Sequence, residues 1–265
     1  MRKKTLVYFS LILAPLNAVS ASGVQETFDP LSVAGASEGC SLCVSVLNEA
    51  ASTPPFRAGE RDIAASRLAA QWIPHPAVRL RAQAERLRMH WPSGNTASGW
   101  GDIRLGTTAA LWTGGSSGQR QFGLDWSMKL PNAADDGELG SDESDAAVGL
   151  FGQFQSGPWW LGLRVSLLIL GDPLQFANQD DALLAGAALA FHKERWSLLS
   201  RLNWREESPR NARDVRWLAG ARWSGLPNGL WLAAEGGAGL TPAAPTWQAS
   251  LLVGVSRACR ASNRD

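Results

Sequence analysis

Apolar and polar side chains alternate along most of the chain beyond residue 40. In the clearest segment, 121–130, every even-numbered residue from Phe122 to Leu130 is apolar, and the residues between them are polar or glycine. Successive side chains of a β-strand point to opposite faces, so this period of two predicts a strand with one apolar and one polar face. The same alternation recurs at 196–205 and 215–223. It indicates strands rather than helices.

Extended along the sequence, the pattern predicts twelve strands. They cover residues 40–48, 61–73, 77–91, 101–112, 119–130, 146–155, 159–170, 182–192, 195–206, 214–224, 229–240 and 246–257. The strand at 77–91 changes phase, because Val78 and Leu80 fall on one face whereas Leu87 and Met89 fall on the other. A β-bulge near Arg86 would bring both pairs onto the same face.

The connections between these strands alternate in length. Short links at 74–76, 113–118, 156–158, 193–194 and 225–228 separate longer segments at 49–60, 92–100, 131–145, 171–181 and 207–213, although the last long position, 241–245, is short. Outer-membrane barrels have an even number of strands, short periplasmic turns and longer external loops. The sequence therefore predicts an all-β fold, a transmembrane up-and-down antiparallel β-barrel of about twelve strands.

The amino-terminal residues resemble an export signal. Arg2, Lys3 and Lys4 precede an apolar run that ends near Val19, and small residues follow it, which is typical of a signal peptide with cleavage near Ala21. We therefore expect a signal peptide at 1–21, a periplasmic segment at 22–39, the barrel at 40–257 and a polar tail at 258–265. The expected location is the outer membrane of a Gram-negative bacterium, with the barrel-assembly machinery as a partner.

Composition supports a lipid environment. The chain has thirteen Trp but one Tyr, and indole rings favour the two interfaces of a membrane. A formal charge of +1 gives no reason to expect a nucleic-acid partner. The loop 131–145 carries six acidic residues and no basic one, which indicates either a solvated loop or a divalent-cation bridge to lipopolysaccharide. Outer-membrane lipid and lipopolysaccharide are thus the expected partners.

If the apolar faces meet lipid, the alternate faces line a lumen. Eight arginines fall on these faces, namely Arg79, Arg81, Arg104, Arg164, Arg201, Arg205, Arg216 and Arg222, against the four acids Glu85, Asp102, Asp125 and Glu235. The predicted solute-contacting residues are Arg104, Asp125, Lys129, Arg164, Arg201, Arg222 and Glu235. Two interpretations remain open: a pore or pocket that favours anions, and ladders of arginine and carboxylate that fill and rigidify a narrow lumen.

The sequence predicts no catalytic site, cofactor or metal centre. His75, His90 and His192 are the histidines available as conventional bases, and none lies in an arrangement typical of a lipid hydrolase. Of the three cysteines, Cys40 and Cys259 fall on the first and last strands, which must pair to close a barrel. We therefore predict a disulfide between Cys40 and Cys259, with Cys43 outside it.

Four motifs resemble a known family. They are Gly99–Gly106 (GWGDIRLG), Ser127–Pro131 (SMKLP), Leu139–Ser141 leading into Asp145–Leu150 (DAAVGL), and Leu170–Pro173 (LGDP). In this order they are similar to the outer-membrane barrels of the MetA pathway of phenol degradation and to an allied uncharacterised family. The resemblance extends over about residues 40–257 and implies a barrel that moves aromatic compounds.

The chain departs from this family in two places. The family ends in an aromatic residue, whereas this chain continues through Arg257 and Cys259 to Asp265, and the family's acidic Lys-Leu-Pro-Thr-Gly-Asp segment is here Lys-Leu-Pro-Asn-Ala-Ala. The sequence thus favours a channel or transporter for small organic solutes, aromatic or anionic ones among them. The alternative is a non-conducting structural or surface-interaction barrel.

Overall fold

The computed structural model describes residues 40–52, 62–91, 93–115, 120–132, 144–171, 181–207 and 212–258. This part of the chain contains thirteen strands and one short 3-10 turn at Pro227–Gly229. The strands are β1 (Cys40–Ser52), β2 (Asp62–His75), β3 (Val78–His90), β4 (Thr96–Trp100), β5 (Ile103–Gly114), β6 (Arg120–Leu130), β7 (Ala146–Ser156), β8 (Trp159–Ile169), β9 (Ala182–Lys193), β10 (Trp196–Glu207), β11 (Ala212–Trp223), β12 (Leu230–Gly239) and β13 (Gln248–Ala258).

These strands form one closed antiparallel sheet. Consecutive strands lie side by side, and β13 pairs with β1 from Cys40 to Ala51, which closes the sheet. The short strand β4 pairs with Arg86–His90 of β3, and β5 pairs with Val78–Gln83, so β4 and β5 share one position around the barrel. The protein is therefore an up-and-down β-barrel with twelve strand positions, as the alternation predicts.

Alternation separates an apolar outer face from a mixed interior. In β8 the outward residues Trp159, Leu161, Leu163, Val165, Leu167 and Ile169 are all exposed, whereas Trp160, Arg164, Ser166 and Leu168 are buried. Leu163 is 52% exposed and Leu168 is 0% exposed, although both are leucines. Leucine and valine exposed side by side around a barrel suit the hydrocarbon of a bilayer rather than water. Within the described residues, no helix has the length and apolarity needed to cross a membrane.

The two ends of the barrel differ in their connections. We call the end with the tight connections the turn end; it includes Pro76–Ala77, Gly157–Pro158, Glu194–Arg195 and residues 224–229. Gly157 has a φ of +55°, a left-handed conformation that glycine adopts without steric cost. The opposite end, where the longer connections lie, is the loop end. β1 begins and β13 ends at the turn end.

The predicted bulge near Arg86 is wrong. β2 and β3 stay in register from the Asp62–His90 pair to the Trp72–Leu80 pair. Leu87 and Met89 point into the barrel and are 6% and 1% exposed, whereas Arg86 points outward. The extra residue lies instead between β4 and β5. An outward arginine is tolerated there because this part of β3 is close to the loop end, where a barrel wall leaves the hydrocarbon.

The tryptophans occupy both faces. Trp112, Trp159 and Trp196 are exposed beside the turn end, as expected for an interfacial aromatic belt, whereas Trp160 and Trp231 are buried inside the barrel at 5% and 2% exposure. The aromatic count therefore reflects the interior as well as the membrane interface. The predicted signal peptide, the segment 22–39, the acidic residues between 133 and 143, Cys259 and most of the polar tail lie outside the described residues.

Candidate lumenal site

The interior carries more positive than negative charge. Among the described residues, ten basic side chains occupy inward positions: Arg67, Arg79, Arg81, Arg104, Lys129, Arg164, Arg201, Arg205, Arg216 and Arg222. Seven acidic side chains face them: Glu49, Glu85, Asp102, Asp125, Asp145, Asp214 and Glu235. The basic excess agrees in sign with the prediction, but more acids are present than the sequence pattern identified.

The central cluster places one carboxylate between two guanidinium groups. Asp125 on β6 is 3% exposed, and its two oxygens lie 2.7 Å from Arg81 on β3 and 2.7 Å from Arg164 on β8. Thr108 donates a third hydrogen bond to Asp125 at 2.8 Å, and Arg164 also donates to Ser166 at 2.9 Å. Charge-assisted hydrogen bonds of this kind fix side chains strongly where water is scarce.

Both ion pairs of this cluster reach over an intervening strand, and that strand carries a glycine. Gly106 on β5 lies beside Arg81, because a Cβ there would be 3.4 Å from its guanidinium. Gly149 on β7 pairs with Asp125, and a Cβ there would be 2.1 Å from Ser166 Oγ. Gly220 occupies the same place between Arg201 on β10 and Glu235 on β12. Inward glycines thus provide the space through which long side chains cross a strand.

A second network lies nearer the loop end. Glu85 is 4% exposed and accepts hydrogen bonds from Arg67 at 2.8 Å and from Arg104 at 2.9 Å. Arg67 also binds Glu49, which accepts a further hydrogen bond from Gln248 at 3.0 Å. This chain of contacts joins β13, β1, β2, β3 and β5, and it therefore ties the closing pair of strands to the rest of the wall.

Lys129 organises the mouth at the loop end. Its ammonium group lies 2.7 Å from Asp145 and 3.7 Å from Asp102. Asp102 accepts a hydrogen bond from the Asn132 backbone at 3.3 Å, and Asp145 accepts one from the Gly171 backbone at 3.2 Å. These contacts fasten the ends of three loops, so Lys129 is a structural residue as well as a lining one.

An apolar cluster occupies the opposite side of the interior. Trp160, Ala188, Ala190, Leu199, Trp231, Ala233 and Leu252 are all buried, and Leu47 packs against them. Arg222 stacks over the Trp231 ring at 4.3 Å and donates a hydrogen bond to Ser224 at 3.1 Å. A cation above an indole face is attracted by the ring quadrupole, so the indole face contributes to holding this arginine.

All seven predicted solute-contacting residues lie on the inward face, but they do not form one site. Arg104, Asp125, Arg164, Arg201 and Glu235 belong to ion pairs, Lys129 lies at the loop-end mouth, and Arg222 joins the apolar side. The sequence pattern did not single out Glu49, Arg67 or Asp145. Glu49 was assigned to a loop because β1 was predicted to end at residue 48, whereas the strand continues to Ser52. Arg67 was identifiable, since it alternates with the outward residue Leu68.

The histidines and cysteines make few further contacts. His192 Nδ1 lies 2.9 Å from Ser197 Oγ, and no described carboxylate hydrogen-bonds to this pair. Within the described residues no group of His, Cys, Asp and Glu has a metal-binding arrangement. Cys43 is a buried free thiol whose sulfur lies 3.3 Å from Ser256 Oγ. The register pairs Cys40 with Ala258, the residue before Cys259, so the Cys40–Cys259 disulfide remains a prediction.

The fold matches solved outer-membrane barrels. No family model and no curated protein matches this chain. The COG4313 outer membrane channel from Pseudomonas putida F1 superposes with a TM-score of 0.68 at 14% identity, covering 83% of this chain and 96% of that one. The KdgM porin superposes with a TM-score of 0.55 at 9% identity, covering 81% of this chain and 99% of that one. The translocator domain of the autotransporter NalP from Neisseria meningitidis superposes with a TM-score of 0.53 at 15% identity, covering 85% of this chain and 92% of that one. At these identities the likeness establishes the fold alone.

Proposed function

We propose that this protein is an outer-membrane channel for small organic solutes, with a preference for anions. The proposal is carried by the interior, where ten basic side chains face seven acidic ones inside a barrel whose outer surface is apolar. A low-dielectric wall focuses the field of such an excess into the lumen, which raises the local concentration of anions. The apolar cluster around Trp160 and Trp231 offers the carbon skeleton of a solute a dry surface.

The resemblance to barrels of the MetA pathway of phenol degradation supports an aromatic cargo within this proposal. The likeness to the COG4313 channel and the KdgM porin, which are named as a channel and a porin, agrees with conduction. We propose further that the chain reaches the outer membrane through a signal peptide cleaved near Ala21, is inserted by the barrel-assembly machinery, and contacts lipopolysaccharide at the loop end. We propose no catalytic role for it.

The alternative is a barrel that does not conduct. It is favoured by the contacts among lumenal side chains, because the ion pairs of Asp125 with Arg81 and Arg164 link β3 to β8 through the interior. The apolar cluster occupies the other side of the interior. Such an interior would rigidify the wall and support a surface-interaction role for the loops.

Current measurements in planar bilayers separate the two candidates. We expect discrete openings in KCl and, under a KCl gradient, a reversal potential whose sign shows selectivity for chloride. The folded state is first verified by heat-modifiable electrophoretic mobility of outer-membrane fractions. Folded protein that inserts without any conductance would contradict the channel and favour the structural barrel. Mass spectrometry of the mature amino terminus tests cleavage near Ala21.

A further inference from the structure

Buried polar atoms without partners cluster on β2 and β3 near the turn end. Gln71 is 6% exposed, and neither its amide nitrogen nor its amide oxygen has a hydrogen-bond partner among the described residues. Arg79 makes no hydrogen bond or ion pair with another described residue, and its Nε atom is shielded from solvent. Gln71 lies directly opposite Arg81 in the β2–β3 register, and Arg79 is the preceding inward residue of β3. One small region of the lumen thus presents several unsatisfied polar atoms.

Among the described residues, Arg79 has no acid within ion-pairing distance. Asp125 is a described carboxylate whose charge acts on Arg79, but it already lies 2.7 Å from both Arg81 and Arg164. Asp125 thus pairs with two guanidinium groups and acts on Arg79 only beyond ion-pair distance. A partly buried cation is unfavourable unless an anion or water offsets its lost hydration. The region is consequently complementary to a negatively charged group that the described residues do not supply.

Two of the inward neighbours of Gln71 have small side chains. Cys43 lies opposite Gln71 across the β1–β2 pair, and its sulfur is directed towards Ser256 on β13. Ala69, the preceding inward residue of β2, is small. Arg79 is partly exposed, whereas the amide atoms of Gln71 are shielded, so a solute that reaches Arg79 would engage Gln71 after a change of its side-chain rotamer.

We propose that Arg79 and Gln71 form a binding subsite for the carboxylate of a small organic acid, within the channel function proposed above. The planar guanidinium of Arg79 matches both carboxylate oxygens, and the Gln71 amide N–H donates to one of them. The Gln71 carbonyl is then left to accept a hydrogen bond from water or, in a hydroxylated acid, from a hydroxyl group of the solute.

The test measures binding without requiring conduction. Benzoate is titrated by calorimetry into the folded protein in a non-ionic detergent, alongside benzamide, which has the same ring and no charge. We expect saturable benzoate binding, at least tenfold weaker binding of benzamide, and a loss of about tenfold in Arg79→Gln, since one charged hydrogen-bonding pair is removed. Arg79→Lys should restore part of the affinity because it keeps the charge and loses the fork. Gln71→Leu should weaken binding severalfold.

The matched control is Arg213→Gln, which removes an exposed arginine outside the lumen and should leave affinity unchanged. Equal binding by the wild type and Arg79→Gln, equal binding of benzamide and benzoate, or no saturable binding at all would overturn the subsite. Conductance in KCl is measured on the same preparations. A protein that conducts but does not bind benzoate would refute the subsite and support the channel. A protein that binds benzoate but does not conduct would support the subsite and refute the channel.

Discussion

The two sides of the lumen are built from different interactions. On the side formed by β2 to β8, buried charges pair with one another, and Asp125 joins Arg81 to Arg164. On the side formed by β8 to β13, the half nearer the turn end is apolar, with Trp160, Leu199 and Trp231 in mutual packing. The first side depends on the ion pairs around Asp125 and Glu85, and the second depends on close packing of apolar side chains. A substitution of similar size should therefore have different consequences on the two sides.

This contrast also explains why the charged side is ordered. A long side chain that spans a strand loses much conformational freedom, so it is held only if its head group is bound and its path is clear. Asp125 provides the first condition, and the inward glycines Gly106 and Gly149 provide the second. The apolar side needs neither, because Trp160 and Trp231 belong to one cluster with the small residues Ala188, Ala190 and Ala233.

Removing the shared carboxylate should have the largest effect. Asp125→Asn keeps the shape of the side chain but removes the negative charge that Arg81 and Arg164 share. We expect a loss of about 3–5 kcal/mol in the free energy of unfolding, the usual cost of breaking a buried pair. Urea unfolding in lipid vesicles, followed by tryptophan fluorescence, measures it.

The control for Asp125→Asn is Glu206→Gln, which breaks the pair with Arg213 at 3.3 Å, where Arg213 is 65% exposed. An exposed pair contributes about 0.2–1 kcal/mol, so this variant should unfold nearly as the wild type does. Equal losses in the two variants would show that burial does not distinguish the central cluster from the surface.

On the apolar side, the corresponding change is Leu199→Ala. Leu199 is 5% exposed, and its truncation should cost about 2–3 kcal/mol, the lower part of the range for buried leucines, because water from the lumen can enter the space. Leu240→Ala is the control, since Leu240 is 60% exposed beyond the end of β12. The same urea titration applies, and an unchanged midpoint in Leu199→Ala would mean that the cluster is not packed.

The fold was predictable from the sequence because a period of two leaves little freedom. Once Leu161, Leu163 and Val165 face lipid, Arg164 and Ser166 must face the interior, whatever the details of the loops. The same rule places Asp125 and Arg201 correctly. It failed at β3, since Leu87 and Met89 were taken as lipid-facing. Near the loop end the lipid no longer selects for apolar residues, and the interior accepts them.

The partners of each charge were not predictable in the same way. Alternation states which face a residue occupies but does not state how far its head group reaches across the lumen. The pairs of Asp125 skip a strand, so no pairing rule for adjacent strands identifies them. The inward glycines Gly106, Gly149 and Gly220 were the available signal, because a glycine between two rows of long residues leaves space for a crossing.

Filling one of these crossings should destabilise the charged side by less than removing its acid. Gly149→Ala places a Cβ 2.1 Å from Ser166 Oγ and 2.4 Å from the Val165 carbonyl oxygen, so the wall must shift. We expect a loss of about 1–2 kcal/mol, as is typical of overpacking. Gly152→Ala on the same strand is the control, since a Cβ there meets nothing within 4 Å. Similar unfolding midpoints for the two variants would contradict the crossing.

The smallest effect is expected for Trp231→Phe, where two contributions oppose each other. The change weakens the attraction between Arg222 and the ring, which is worth about 2 kcal/mol when both groups are desolvated. It also removes the indole N–H, which is buried and has no hydrogen-bond partner among the described residues, so a cost of about 1–3 kcal/mol disappears. The free energy of unfolding should therefore stay within about 1 kcal/mol of the wild type. A clearly larger loss would mean that the indole N–H donates to lumenal water or solute, and the apolar side would then be a wet one.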